Sequence, residues 1–284
     1  MIKNYLSLVK FSHTIFAMPF ALIGFFLAVT ATNASFEWHL LIKVILCMVF
    51  ARNAAMAFNR FIDRAIDEKN PRTAVREIPA GIVKSNAALA FVILNCIAFV
   101  ATTYFINTLC FYLSPVALAV ILGYSLTKRF TALCHLVLGV GLSLAPIGAY
   151  LAVVGQFDLL PILFSFVVLF WVAGFDVIYS LQDEEFDKEN QLSSIPVILG
   201  KKKALRLSEF LHGISALTLF TAGTTGGFGW LYWIGFGIFT GLLIYQHTIV
   251  KPDNLSRINL AFFTTNGVAS VVFAVFVIAD LYLL

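Results

Sequence analysis

The sequence predicts an all-α polytopic membrane protein, and three observations support this. Hydrophobic residues make up 60% of the 284 residues and the mean hydropathy is +0.92, which excludes a soluble domain with a polar surface. Apolar runs near the roughly 20 residues needed to span hydrocarbon recur along the whole chain. Basic residues gather in every second connection between these runs. No long linker or low-complexity tract interrupts the pattern, so we expect one domain over residues 1–284.

Nine apolar runs are the predicted transmembrane helices. In chain order they cover residues 15–39, 41–58, 86–107, 109–126, 132–154, 159–182, 205–224, 228–249 and 260–284. The first run is flanked by only Lys3 and Lys10 and carries no small-residue cleavage site, which favours a retained helix over a removable signal peptide. The other eight follow at regular spacing, so we interpret each as one further span.

The basic residues also predict an orientation. Lys and Arg in short loops are kept on the cytoplasmic side of a membrane. All 19 of them except Lys43 fall at the N-terminus or in the second-to-third, fourth-to-fifth, sixth-to-seventh and eighth-to-ninth connections or the ends of their flanking spans. We therefore expect an integral protein of a bacterial inner membrane with these connections in the cytoplasm. The net charge of +4 follows from this topology, and no nucleic-acid partner is expected.

Two charged segments, NRFIDRAIDEKNPRTAVR from residue 59 and DVIYSLQDEEFDKEN from residue 176, repeat one spacing after the second and sixth runs. Each contains three polar residues four positions apart, and these are Asn59, Asp63 and Asp67 in the first and Tyr179, Asp183 and Asp187 in the second. Residues four apart lie on one face of a helix. We therefore expect each helix to continue past its apolar section and to present its carboxylates in a row.

Two facing rows of carboxylates predict a metal site. Like charges at this spacing repel unless cations lie between them. Mg²⁺ prefers oxygen ligands and is commonly held by one or two carboxylates together with substrate phosphates. Two rows could hold two Mg²⁺ ions that bridge a diphosphate, while Arg and Lys neutralise its remaining charge. A diphosphate bound where an apolar cavity meets the cytoplasm indicates a prenyl diphosphate.

Other charges need no cause beyond a cytoplasmic loop. We interpret in this way Glu68, Glu77, Glu184, Glu185, Glu189 and Lys201 to Lys203.

The two charged segments resemble the aspartate-rich motifs of the UbiA family of intramembrane aromatic prenyltransferases. The likeness covers the whole chain through KFSHTIFAMPFALIGFF from residue 10, YSLTKRFT from residue 124 and HLVLGVGLSLAPIGAY from residue 135. One departure is Arg60, because several relatives have an acidic residue directly after the asparagine that corresponds to Asn59.

This resemblance implies nine helices around a central apolar cavity with a cytoplasmic cap formed by the two motifs. It implies Mg²⁺-dependent transfer of a polyprenyl group from its diphosphate to a hydroxylated aromatic acid in ubiquinone or menaquinone assembly. The acid is 4-hydroxybenzoate or a dihydroxynaphthoate, and haem or chlorophyll-type acceptors are less favoured. Matched by position, Asn59, Asp63, Asp67, Asp183 and Asp187 serve the metals and the diphosphate, and Arg72, Arg76, Lys128 and Arg129 face the phosphates.

Four further residues at the cytoplasmic ends of the spans are candidates for catalysis. Tyr124 and Tyr179 lie where an allylic cation should form, and their rings can stabilise it or simply anchor the helices at the interface. Asp176 and Arg52 lie about a turn deeper, and we expect them to bind or deprotonate the acceptor. A charge at that depth needs a partner, and Lys10 or Arg52 is the expected cation for Asp176.

His13 and His135 lie near the starts of the first and fifth runs, where a polar acceptor would enter, although a hydrogen bond between helices explains them equally well.

Three other functional classes remain alternatives. A multi-pass transporter would place its ionisable residues near the bilayer midplane, whereas these charges crowd one face. A phospholipid-type phosphotransferase also uses membrane aspartates, but the glycine and arginine spacing expected around them is missing. A structural membrane protein without chemistry leaves the two acidic rows unexplained.

Overall fold

The computed structural model describes residues 2–9, 16–32 and 35–283. In this part of the chain the regular structure is helical. The helices are α1 (Ile2–Leu8), α2 (Met18–Ala31), α3 (Trp38–Ile62), α4 (Arg64–Lys69), α5 (Ser85–Tyr104), α6 (Thr108–Thr127), α7 (Cys134–Val154), α8 (Leu159–Ser180), α9 (Glu184–Glu189), α10 (Ile195–Gly226), α11 (Trp230–Ile249) and α12 (Asn266–Leu283). His13 and Lys10 lie outside the described residues.

A helix lies at each of the nine apolar runs. Six of the described helical segments are long and apolar enough to cross a membrane, and α2 is a shorter apolar helix. The protein is therefore an integral membrane protein, as predicted. Helices α10 and α11 are not among these six, and α10 carries Lys201 to Lys203 near its start, while α11 has Gln246 and His247 in its last turn. The count of nine spans thus stays a prediction.

Large aromatic side chains form the core between α2, α8, α11 and α12. Phe20, Trp171, Phe239 and Phe273 are each fully buried, and the ring centroid of Trp171 lies 5.4 Å from that of Phe20 and 5.6 Å from that of Phe239. Each of these aromatic side chains buries a large apolar surface. Tilted ring pairs add a further, orientation-dependent stabilisation. This core holds one side of the bundle rigid beside the cavity described below.

Helix α7 approaches both α2 and α8 closely because glycines lie at the crossings. A Cβ atom on Gly24 would come within 2.1 Å of the carbonyl oxygen of Pro146, and one on Gly139 within 2.4 Å of that of Leu169. Backbones can approach this closely in a membrane only where the interface residues are small. The close crossings fix α7 and α8, which form two walls of the cavity.

Both motif helices break at the acidic residues, so the predicted unbroken helical rows are wrong. Helix α3 ends at Ile62, and Asp63 adopts φ −91° and ψ 3° before α4 begins. Helix α8 ends at Ser180, and a 3₁₀ turn over Leu181–Asp183 precedes α9. Asp side chains compete with helical backbone hydrogen bonding and favour such breaks.

A π-helix, Leu260–Thr265, precedes α12, and Asn266 stabilises it. The amide Nδ2 of Asn266 donates to the carbonyl oxygens of Ala261 and Phe262, at 3.1 and 3.0 Å. Its Oδ1 accepts hydrogen bonds from Trp171 Nε1 and Gln246 Nε2, both at 2.8 Å. Single turns of π-helix occur often at functional sites, and this one places Phe262 at the cavity wall.

Candidate active site

A cavity of about 600 Å³ lies mainly between α3, α6, α7 and α8. All of the predicted site residues line it, and these are Arg52, Asn59, Asp63, Asp67, Arg72, Arg76, Tyr124, Lys128, Arg129, Asp176, Tyr179, Asp183 and Asp187. Its deeper wall is apolar, with side chains such as Met48, Leu138 and Ile147. A mostly apolar cavity with a few convergent polar groups is the usual form of a ligand site. The polar end is built by the two motifs.

Two of the four aspartates pair with arginines from the loop after α4. Arg72 donates from Nη2 to Asp183 Oδ2 at 2.6 Å and from Nε to Oδ1 at 3.0 Å. Asn70 Nδ2 donates to the same Oδ1 at 3.3 Å. Arg76 Nη1 lies 2.6 Å from Asp67 Oδ1. The two hydrogen bonds from Arg72 to Asp183 join the first motif to the second. A forked contact of this kind is a strong and directional form of ion pair.

The other two aspartates pair with the basic residues that follow α6. Lys128 Nζ lies 2.7 Å from Asp187 Oδ1, and Arg129 Nη2 lies 2.7 Å from Asp63 Oδ1. Asn59 Nδ2 also donates to Asp63 Oδ2 at 2.9 Å. Each predicted carboxylate therefore has one of the four predicted cations as its partner. Asp187 is fully buried, so its pairing is needed to offset the cost of burying the charge.

Burial and these ion pairs shift pKa values at the cavity mouth, among them those of Asp63 and Arg72. Burial raises the pKa of the Asp63 carboxyl above its ordinary range, although the Arg129 guanidinium opposes this effect. Burial acts to lower the pKa of Arg72, but its interactions with Asp183 and Tyr179 outweigh burial and raise that pKa. Arg72 therefore stays charged, whereas Asp63 holds a proton more readily than an exposed aspartate.

The donor set fits a hard divalent cation. In the described part of the chain, no three His, Cys, Asp or Glu side chains already converge on one point, because each carboxylate contacts its own cation. Asp67 Oδ2 is among the buried carboxylate oxygens that accept no hydrogen bond from any described residue. Such an oxygen costs free energy until it gains a partner. Carboxylate oxygens at this site suit Mg²⁺, which prefers oxygen ligands.

Asp176 pairs with His135 rather than with Arg52, so that part of the prediction is wrong. His135 Nδ1 lies 2.7 Å from Asp176 Oδ2. The backbone N–H of Ile195 donates to His135 Nε2 at 3.3 Å, so Nε2 carries no proton and Nδ1–H donates to the carboxylate. The imidazole thereby orients Asp176 at the cavity wall. Arg52 lines the same cavity, and its Nε is buried without a hydrogen-bond partner among the described residues.

Tyr179 belongs to an aromatic wall beside the polar end of the cavity. Its ring stacks on Phe262, with centroids 4.1 Å apart and an interplanar angle of 27°. Its hydroxyl accepts a hydrogen bond from Arg72 Nη1 at 3.3 Å, and Arg72 Cζ lies 5.6 Å from the ring centroid. Tyr124 lines the cavity on α6 and is half-buried. Both tyrosines can present π-faces or hydroxyl groups to a ligand.

Sequence reasoning missed three polar residues near this site. Arg60 lines the cavity and is only 5% exposed, and Asn70 is buried beside Asp183. Glu77 is 7% exposed and accepts a hydrogen bond from Ser7 Oγ at 2.5 Å, so its interpretation as an ordinary loop charge is wrong. The position of Arg60 directly after Asn59 is a signal that could have identified it. Nothing in the local sequence distinguishes Glu77 from the exposed charges of the same loop, such as Glu68 and Lys69.

Comparison with known proteins places this architecture among membrane prenyltransferases. Residues 17–268 match the UbiA prenyltransferase family. The 4-hydroxybenzoate octaprenyltransferase of Aliivibrio salmonicida is 31% identical over 240 residues, which are 84% of this chain and 83% of that protein. The enzyme of that name from Aliivibrio fischeri is 28% identical over 246 residues, 87% of this chain and 85% of that protein.

Solved structures of similar proteins share the fold. The apo structure of a UbiA homolog from Aeropyrum pernix K1 has 32% sequence identity and a TM-score of 0.84, covering 94% of this chain and 98% of that one. A UbiA homolog from Archaeoglobus fulgidus, solved with GPP and Mg²⁺ bound, has 19% identity and a TM-score of 0.73, covering 98% and 99%. At that identity the second likeness concerns the fold alone.

Proposed function

Because this chain belongs to the UbiA prenyltransferase family, we propose that it catalyses Mg²⁺-dependent transfer of a polyprenyl group from its diphosphate to a hydroxylated aromatic acid. The observation that carries the proposal is the set of four aspartate–cation pairs at the mouth of an apolar cavity. The pairs bring carboxylates for metal ions and cations for phosphates to the same place. The cavity behind them offers an apolar volume for a prenyl tail.

The diphosphate would bind at the paired residues. Asp63, Asp67, Asp183 and Asp187 would hold Mg²⁺, and two ions would suit two pairs of carboxylates. When bound there, Mg²⁺ supplies Lewis-acid stabilisation of the charge that develops on the departing diphosphate. Arg72, Arg76, Lys128 and Arg129 would turn from the carboxylates to phosphate oxygens, for which guanidinium forks have a suitable geometry. Asn59 would help to orient Asp63, to which it already donates.

The prenyl tail would extend into the apolar part of the cavity. Heterolysis of the allylic carbon–oxygen bond leaves its electron pair on the diphosphate and a cation on the prenyl chain. Water would quench that cation, so the site must exclude it. The rings of Tyr179, Phe262 and Tyr124 face or line this region and can stabilise a cation through their π-faces.

The acceptor would bind deeper, next to Arg52 and Asp176. The Nε of Arg52 is buried without a hydrogen-bond partner among the described residues, and the carboxylate of an aromatic acid could accept its hydrogen bond. The ring carbon attacks the prenyl cation, forms the new carbon–carbon bond and must then lose its proton. Asp176, whose carboxylate accepts a hydrogen bond from the Nδ1–H of His135, would accept that proton.

The acceptor we propose is 4-hydroxybenzoate, since the curated relatives are named for that substrate. A dihydroxynaphthoate is the second candidate, because it presents the same carboxylate and phenolic ring to Arg52 and Asp176. In this proposal the enzyme lies in a bacterial inner membrane, with α4, α9 and the paired residues at the cytoplasmic face, as the Lys and Arg distribution favours.

Purified protein in lipid nanodiscs tests the proposal. The assay supplies geranyl diphosphate with either 4-hydroxybenzoate or 1,4-dihydroxy-2-naphthoate, with Mg²⁺ or with EDTA, and detects products by mass spectrometry. We expect a prenylated acid from at least one acceptor, only in the presence of Mg²⁺. No prenylated product from either acid, under conditions where the protein is folded and binds Mg²⁺, would refute the proposal.

A further inference from the structure

The cavity mouth holds one more cation than its carboxylates can balance. The four aspartates there pair one-to-one with Arg72, Arg76, Lys128 and Arg129. Arg60, on the last turn of α3, lines the same cavity and is 95% buried, since its relative exposure is 5%. In the described residues no carboxylate lies within ion-pair distance of it, and its Nε is buried without a hydrogen-bond partner.

Asp67 and Glu77, the acidic residues that act on Arg60, each already have another partner. The charges of Asp67 and Glu77 attract the Arg60 guanidinium, and that of Arg76 repels it. Asp67 contacts Arg76, and Glu77 accepts a hydrogen bond from Ser7. Arg stays protonated in proteins, and a buried guanidinium without a partner is costly. The cost is offset if an anion enters the cavity and accepts its hydrogen bonds.

The depth of Arg60 indicates which anion it meets. Arg60 and Asp63 are three residues apart and therefore lie on neighbouring faces at the level of the paired residues. Arg52 lies eight residues earlier in α3, which corresponds to about 12 Å along the helix axis. The two unpaired arginines thus occupy two levels of the cavity, one near the diphosphate site and one near the acceptor site.

We propose that Arg60 is a substrate-binding residue that donates hydrogen bonds to the diphosphate of the prenyl donor. This inference rests on the proposed function. It adds to the diphosphate-binding site a residue that has no ion-pair partner among the described residues. The other four cations must leave a carboxylate to reach a phosphate oxygen, whereas Arg60 has no such bond to break. It is therefore the cation that meets the incoming diphosphate without an exchange of partners.

The test compares Arg60→Gln with Arg64→Gln in the full-length protein. Arg64 is exposed and donates to the carbonyl oxygen of Phe61, so it serves as a neighbouring control. Binding of inorganic diphosphate with Mg²⁺ is measured by calorimetry, and KM values are measured separately for geranyl diphosphate and 4-hydroxybenzoate. We expect Arg60→Gln to weaken diphosphate binding at least tenfold, as loss of a charge-assisted hydrogen bond to phosphate should. The KM for 4-hydroxybenzoate should stay within threefold, and Arg64→Gln should match wild type.

Three results would overturn the inference. Diphosphate binding by Arg60→Gln within threefold of wild type would show that the guanidinium does not contact phosphate. A tenfold rise in the KM for 4-hydroxybenzoate alone would assign Arg60 to the acceptor. Equal loss of both affinities together with a lower melting temperature of the unliganded protein would assign it a structural role.

If Arg60→Gln does not fold, Arg60→Lys replaces it, with the same KM comparison and an expected loss of diphosphate affinity of at least threefold. A loss below threefold in that variant contradicts the inference. Wild-type protein that binds no diphosphate in the presence of Mg²⁺ would refute the proposed function as well, whereas equal binding by wild type and variant refutes only the role of Arg60.

Discussion

Arg72 binds both carboxylate oxygens of Asp183, from a position 111 residues away in the sequence, and so joins the two acidic motifs. Its remaining nitrogen, Nη1, donates to Tyr179, four residues before Asp183. One side chain thereby connects a metal-ligand candidate, an aromatic wall residue and the loop after α4. In the proposed function this same guanidinium turns to the diphosphate, so Arg72 is expected to affect donor binding first.

Replacing Arg72 should weaken binding of the prenyl donor before it affects the acceptor. Arg72→Ala removes a forked donor for phosphate and leaves Asp183 without its cation. We expect the Kd for geranyl diphosphate, measured without acceptor, to rise at least tenfold. The exposed Arg64→Ala is the matched control. Unchanged donor binding by Arg72→Ala would show that this arginine serves only to hold Asp183.

The four paired aspartates should each be required for turnover. Asp→Asn at position 63, 67, 183 or 187 keeps the size of the side chain and removes the charge that would hold Mg²⁺. We expect kcat to fall about a hundredfold or more for each, the usual order for loss of a key electrostatic group. Circular dichroism checks that the variants fold. Two variants with kcat within threefold of wild type would contradict the assignment.

Asp176 should act on the acceptor and not on the donor. Its partner is His135, whereas the four paired aspartates contact Arg72, Arg76, Lys128 and Arg129. We expect Asp176→Asn to bind geranyl diphosphate within threefold of wild type and still to lose product formation. His135→Gln should lower kcat less, because the carboxylate remains but loses its orienting donor. Loss of donor affinity in Asp176→Asn equal to that in Arg72→Ala would place Asp176 in the metal site.

The raised pKa of Asp63 predicts a dependence of stability on pH in metal-free protein. Because the folded protein holds this proton more tightly than the unfolded chain, the contribution is present at low pH and is lost as pH rises through the raised pKa. Asp63→Asn stays neutral at every pH. In EDTA, the melting temperature of wild type relative to Asp63→Asn should therefore fall as pH rises through that pKa. A constant difference between pH 3 and pH 8 would contradict burial as the dominant influence on Asp63.

The orientation in the membrane can be tested by cysteine labelling. Glu185 and Ser35 are both exposed and lie on connections predicted to face opposite sides. In intact cells, a cysteine at position 35 should react with an impermeant maleimide, and a cysteine at position 185 should react only after the membrane is permeabilised. Equal labelling at both positions in intact cells would refute a cytoplasmic active site.

Much of this architecture was predictable from local sequence. The apolar runs give the long helices, because membrane spans need a fixed length of apolar residues. The repeated four-residue spacing predicted carboxylates that gather at one end, and Asp63 and Asp183 do line one cavity. The motif resemblance predicted the family, and the comparisons confirm it together with the class of enzyme, a prenyltransferase.

Other features depend on contacts between distant residues and could not be predicted. The helix breaks at Asp63 and before Glu184 replace the continuous rows that periodicity predicted. The partner of Asp176 is set by how α7 and α8 pack, which brings His135 to it across 41 residues. Glu77 has the sequence context of a loop charge. Its burial and its hydrogen bond from Ser7 depend on the folded structure and cannot be read from the local sequence.

The most direct test of the central claim measures diphosphate release and product formation in one reaction. Wild-type protein in nanodiscs receives geranyl diphosphate, 4-hydroxybenzoate and Mg²⁺, and both products are quantified over the first turnovers. The account predicts one inorganic diphosphate for each prenylated acid, and little release when the acceptor or Mg²⁺ is omitted, because ionisation takes place in a cavity that excludes water. Diphosphate release without prenylated acid, or product formed in EDTA, would contradict it.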